Sequence, residues 1–154
     1  MADPPLSPKA HTAARKLVPR LLTRDFKKLR TAVRDVERAE DPRTRDLALH
    51  EARKKAKRLR YAAESAIPAF GSRAKRYAAK VKNIQQSLGV HQDTVVARQV
   101  LREYGVQAHL SGENGFTFGR LHALEQWRAD QSELEFRASW EALPHKKIRR
   151  WIKG

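Results

Sequence analysis

Leu49, Ala52, Ala56, Leu59, Ala63, Ala66 and Phe70 follow one another at alternating three- and four-residue steps. No strand brings such positions to one face, because its side chains alternate with period two. On a helix, at about 100° per residue, they form a single apolar stripe. The stripe has to be buried against other elements. Its alanines let a neighbouring helix come close.

The pattern extends beyond this segment. Ala, Leu, Arg, Lys and Glu dominate, all good helix formers. Alternating strand patterns and hairpin turns between β-branched runs are missing. A first helix is expected from about Thr12 to Glu40, kinked or started at Pro19. Leu17, Leu21, Leu22, Phe26, Leu29, Val33 and Val36 fall on one side of it, and Arg20, Arg24, Lys27, Arg34 and Arg38 on the other. Asp41-Pro42 reads as an N-cap and first helical residue. The second helix runs to about Ile67, with Pro68 and Gly71 ending it.

A third helix is expected from Ser72 to about Leu88, with Gly89 just past its end. A fourth covers roughly Gln92 to Tyr104, with Asp93 as a candidate cap. Gly105 to Gly115 reads as a loop. A fifth helix runs from about Thr117 to Ala142, with Trp127 and Trp140 in its core or interface. The fold class is all-α, an antiparallel bundle of four to five long helices. Residues 1–10 read as a disordered lead-in, 11–143 as the bundle, and 144–154 as a basic tail carrying Trp151.

Charge points to the partner. The chain has 33 Lys and Arg against 17 Asp and Glu, a formal net charge of +16. Self-repulsion of this size disfavours the compact state, so an anionic partner is expected. With no cysteine, disulfides and thiolate metal sites are excluded. The six histidines show no metal-ligand spacing, and "HEAR" lacks the second histidine of a zinc-protease motif. No Gly-rich phosphate loop and no serine nucleophile elbow is present. Neither an enzyme nor a cofactor site is expected. No apolar run approaches the roughly 20 residues of a membrane span.

On the second helix the cations gather on one ribbon. His50, Arg53, Lys57, Arg60 and Tyr61 share a face over about 15 Å of axis, with Lys54 at its margin. Lys55 and Arg58 point elsewhere. Arg offers phosphate a planar fork, Lys a point charge and Tyr a hydroxyl donor. Arg73, Arg76 and Lys80 add a second basic side on the third helix, and Arg20, Arg24 and Lys27 a third on the first. Such ribbons suit a linear chain of phosphates with no bases to read.

The pattern His50-x-x-Arg53-Lys54-x-x-Lys57-x-Leu59-Arg60-Tyr61 resembles the signature of the conserved histidine α-helical domain (CHAD) family. "IQQSLGVHQDTVVARQVL", residues 84–101, is similar to that family's second landmark, and "FGRLHALEQ", residues 118–126, to its closing helix. The resemblance implies a cytoplasmic, non-catalytic module that binds inorganic polyphosphate, with His50, Arg53, Lys54, Lys57, Arg60 and Tyr61 facing the ligand. A full member carries two histidine motifs, one per half, and this chain carries one, so it resembles a C-terminal half. Two other readings stand beside polyphosphate binding. One is a sequence-nonspecific nucleic-acid-binding protein. The other is a helical scaffold that pairs with a second half, or with its own copy, through the surface the missing half would cover.

Overall fold

The computed structural model describes residues 8–144, with side chains from Lys16 onward. Five helices follow in chain order: α1 Pro8–Arg38, α2 Pro42–Ser65, α3 Ile67–Phe70, α4 Ser72–Leu110 and α5 Phe116–Glu141. Among the described residues there is no strand. The all-α bundle expected from the sequence is present, with four long helices and one short turn of helix. Most of the basic tail, residues 145–154 with Trp151, lies outside the described residues.

Pro19 lies inside α1, which begins at Pro8 rather than near Thr12 or at Pro19. Asp41 caps α2. Its carboxylate accepts from the Thr44 backbone N–H at 3.0 Å and from the Thr44 hydroxyl. These bonds hold the Asp41 carboxyl below its ordinary range, the hydroxyl contributing most. Pro42 follows at the first turn, where its missing N–H costs nothing.

The expected break at Gly89 does not occur. Residues 72–110 form one 39-residue helix, so the third and fourth expected helices are one, and Asp93 sits exposed in its middle instead of capping a start. A helical glycine costs only about 1 kcal/mol against alanine, and packing along α4 outweighs it. Gly105 likewise does not open a loop. A Cβ on Gly115 would stand 3.2 Å from the Gly105 carbonyl oxygen, so these glycines let the ends of α4 and α5 approach closely. The connection shrinks to Ser111–Gly115.

Neighbours in the chain pack on each other: α1 on α2, α2 on α4 and α4 on α5. The core lies towards one end. Leu22, Phe26, Leu29, Val33 and Val36 of α1 meet the α2 stripe, and Tyr77, Val81, Ile84 and Leu88 of α4 close over it. The expected inward faces are thus buried, except Leu17, which is 57% exposed, and the partly buried Leu21 and Phe70. Burial pushes the Tyr77 phenol up from its ordinary value. Phe136, Leu143 and the partly buried Trp140 bring α5 to the same core, and Trp140 stacks on Phe26 with ring centroids 5.9 Å apart. Trp127 is different: it is 60% exposed and packs in no core.

A Cβ added at Gly89 would meet only Arg53 Nε, at an ordinary 3.6 Å. Gly89→Ala is therefore expected to stabilise the chain by about 0.5–1 kcal/mol, the helix-propensity gain, read as a shift in the urea midpoint.

Candidate functional site

The site is built on α2, because the burial of one stripe fixes which residues must face out. Leu49, Ala52, Ala56, Leu59 and Ala63 are each 1% exposed or less. About a quarter-turn round the helix from them, His50, Arg53, Lys57 and Arg60 emerge beside α4, with Lys54 and Tyr61 further out.

The local pairings differ along the ribbon. His50 is half-buried, and its Nδ1 donates to Gln92 Oε1 of α4 at 2.8 Å. That bond fixes the ring and leaves Nε2 as the free edge. The Arg53 side chain reaches α4 beside Gly89, its Nε 3.6 Å from where a Cβ on that glycine would stand. Its buried Nε has no hydrogen-bond partner among the described residues, and neither has that of Arg60. Lys54 pairs with Glu51 and draws that carboxyl below its usual range. Arg60 has a longer ion pair with Glu64, at 3.6 Å. Arg60 and Lys57 also lie over the Tyr61 ring, at 4.8 and 5.8 Å from its centroid. Arg53 and Lys57 have no carboxylate partner among the described residues. The ribbon is therefore under-neutralised at its centre and held by α4 at its His50 end.

Lys55 and Arg58 are off this face, as expected. Arg58 approaches the buried Asp25 carboxylate of α1 at 3.7 Å, and Arg24 holds the same carboxylate at 3.1 Å. This marks the α1 side of α2, across from the side where Arg53 meets α4.

The other basic residues are not gathered to the ribbon. Arg20, Arg24 and Lys27 are exposed on α1, and no described hydrogen bond or ion pair joins them to it. Arg73, Arg76 and Lys80 are exposed on α4. Lys80 is nine residues, two and a half turns, from Gly89, so it lies opposite the face that meets Arg53. Its Nζ instead donates to the Ala142 carbonyl at the end of α5, at 3.1 Å. Arg73 and Arg76 share that side. The α4 residues that do flank the ribbon are Gln92, Gly89 and, at seven-residue steps from the glycine, Lys82 and Lys75, both exposed. The sequence reading missed them. The seven-residue spacing was visible, but only the packing of α4 on α2 tells which face of α4 it marks.

At the start of α2 the ribbon's charge reverses. Asp46 accepts from the buried His91 Nε2 at 2.9 Å and faces Arg98 at 3.5 Å. Arg45 donates to Glu133 of α5 through Nε at 2.9 Å and Nη2 at 2.5 Å, and to the Val36 carbonyl at 2.9 Å. The hydrogen bonds it donates to Glu133 raise the guanidinium's pKa above its ordinary value. Asp46, His91, Arg98, Arg45 and Glu133 line a cavity of about 700 Å³ between the α1–α2 connection, α2, α4 and α5. They tie the four helices and so set the ribbon's position. Among the described residues, no cluster of His, Asp and Glu could hold a metal ion.

Comparison with known families places this helical bundle. The model of the CHAD domain matches residues 1–102, and the chain belongs to that family. The match takes in α1, α2 and α4 as far as Arg102 but not residues 118–126, so that segment's likeness to the family's closing helix lies outside it. The chain is 33% identical over 145 residues to uncharacterized protein Rv2226 of Mycobacterium tuberculosis (strain ATCC 25618 / H37Rv). The figures are the same for uncharacterized protein MT2285 of Mycobacterium tuberculosis (strain CDC 1551 / Oshkosh). Each alignment covers 92% of this chain and 27% of the relative, so the chain spans about a quarter of their length. No solved structure matches it. No described helix is long and apolar enough to cross a membrane.

Proposed function

We propose that this chain is a non-catalytic binding module for inorganic polyphosphate and holds the phosphate chain along the α2 ribbon. One observation carries the reading. Arg53 and Lys57, at the ribbon's centre, have no carboxylate partner among the described residues, while Arg58 on another face approaches buried Asp25. Cations left open on one line beside a fixed imidazole suit a ligand that supplies charge at regular intervals. In this reading Arg53, Lys57 and Arg60 contact successive phosphates, with Lys54 at the margin. Tyr61 keeps the Lys57 and Arg60 side chains close to the helix by cation–π contact and offers its hydroxyl. His50 presents Nε2, which donates to a phosphate oxygen when the ring carries both protons. Lys75 and Lys82 extend the positive field on the α4 side. Arg20, Arg24, Lys27, Arg73, Arg76 and Lys80 act at longer range, by steering rather than contact.

Membership of the CHAD family supports the same ligand. Nucleic acid is the competing polyanion, and one experiment separates the two. Long-chain polyphosphate and duplex DNA, matched in phosphate concentration, compete for the chain at fixed salt. Polyphosphate is expected to displace DNA at least tenfold more effectively per phosphate. Equal displacement would show a surface that senses phosphate charge alone.

A further inference from the structure

Beyond the junction of Asp46, Arg98 and Gln126, α4 and α5 run on without α1 or α2 beside them. No described hydrogen bond or ion pair joins residues 99–127 to either of those helices. Within this two-helix arm only Ala108 is buried. Helices in water draw most of their stability from burying an apolar face, and this arm buries almost nothing. Yet its surface carries several large apolar side chains. Val100, Tyr104, Leu110, Leu124 and Trp127 are 40–79% exposed. Patches of this kind mark interaction sites.

Two observations point to what covers the arm. The first is charge. Residues 99–127 hold two arginines, Arg102 and Arg120, and three glutamates, Glu103, Glu113 and Glu125, a net −1 in a chain of +16. Two copies meeting elsewhere would press strongly cationic surfaces together, whereas the arm adds almost no like charge at the contact. The second is shape. Gly105, Gly115 and Gly119 floor a mostly apolar hollow of about 550 Å³ between the two helices. That volume accommodates an indole ring. Trp127, 60% exposed, stands on the same arm. An arm that carries both a hollow and a protruding aromatic can pair with a copy of itself about a two-fold axis, each copy filling the other.

We propose that the chain self-associates through this arm, the Trp127 ring of each copy seated in the glycine-floored hollow of the other. The four arm helices then form one small bundle, leaving both α2 ribbons free. The inference is independent of what the ribbon binds.

Gly119 provides a clean test, because a Cβ there meets nothing within 4 Å. Gly119→Leu fills the hollow from inside its own chain and improves helix propensity, so it blocks pairing without harming the fold. Sedimentation equilibrium of the chain, with no polyanion present, measures the dissociation constant. Wild type is expected to approach twice 17.7 kDa at concentrations up to about 100 µM. Trp127→Ala and Gly119→Leu should each raise the dissociation constant more than about tenfold, Gly119→Leu with an unchanged or higher Tm. Leu47→Ala, which removes an apolar side chain 69% exposed on α2, should leave it unchanged. A mass of 17.7 kDa at every concentration, or a dimer indifferent to both arm variants, would overturn the proposal.

Discussion

Polyphosphate affinity should fall roughly fiftyfold between 50 and 200 mM salt, with a log–log slope of about −3. The estimate takes Arg53, Lys54, Lys57 and Arg60 as four phosphate contacts at about −0.7 each, the single-strand value. Each contact releases a condensed counterion, and added salt makes that release less favourable. The size of the slope discriminates between models. Engagement of the basic sides of α1 and α4 as well would give a slope several units steeper. A slope near zero would remove the electrostatic account altogether. Because the +16 charge also drives long-range attraction, the association rate should carry part of the salt dependence.

The sequence made the fold class and the α2 face legible for one reason. The stripe from Leu49 to Ala66 is a local pattern, and burying it fixes where His50, Arg53, Lys57 and Arg60 point. The same rule holds on α4, where Tyr77, Val81, Ile84 and Leu88 are buried at helical spacing. It failed where packing between helices decides. Gly89 and Gly105 read as punctuation, because an isolated glycine is a weak helix former. Their role depends on partners far away in the chain: Arg53 lies beside the first, and Gly115 backs against the second. Placing Arg73, Arg76 and Lys80 relative to the ribbon failed for the same reason. They do form one side of α4, as spacing indicates, but the register of α4 on α2 turns that side towards the end of α5. The Gln92 bond to His50 spans 42 residues and has no sequence signal. Trp127, expected in a core or interface, lies outside the core because α4 and α5 outrun α1 and α2, and no local signal within α4 reveals its length.

The central claim is that a defined ribbon, not the total charge, binds the polyanion. Two double variants separate these possibilities because they remove the same charge. Arg53→Ala with Lys57→Ala takes one arginine and one lysine from the ribbon's centre. Lys55→Ala with Arg58→Ala takes one of each from other faces of the same helix. Charge-assisted hydrogen bonds are worth about 1.5–3 kcal/mol each, so the ribbon pair should cost about a hundredfold or more in affinity. A solvated charge away from the ligand contributes through a screened field, and the control pair should cost about threefold or less at 150 mM salt. Arg24 still holds the Asp25 carboxylate when Arg58 is gone, so the control should keep its fold, as circular dichroism can verify. The deciding measurement is calorimetric titration of wild type and both double variants with long-chain polyphosphate at 150 mM salt. A loss of about a hundredfold confined to Arg53→Ala/Lys57→Ala is the result expected of a built site. Equal losses in the two variants would contradict it and leave only a diffuse positive surface.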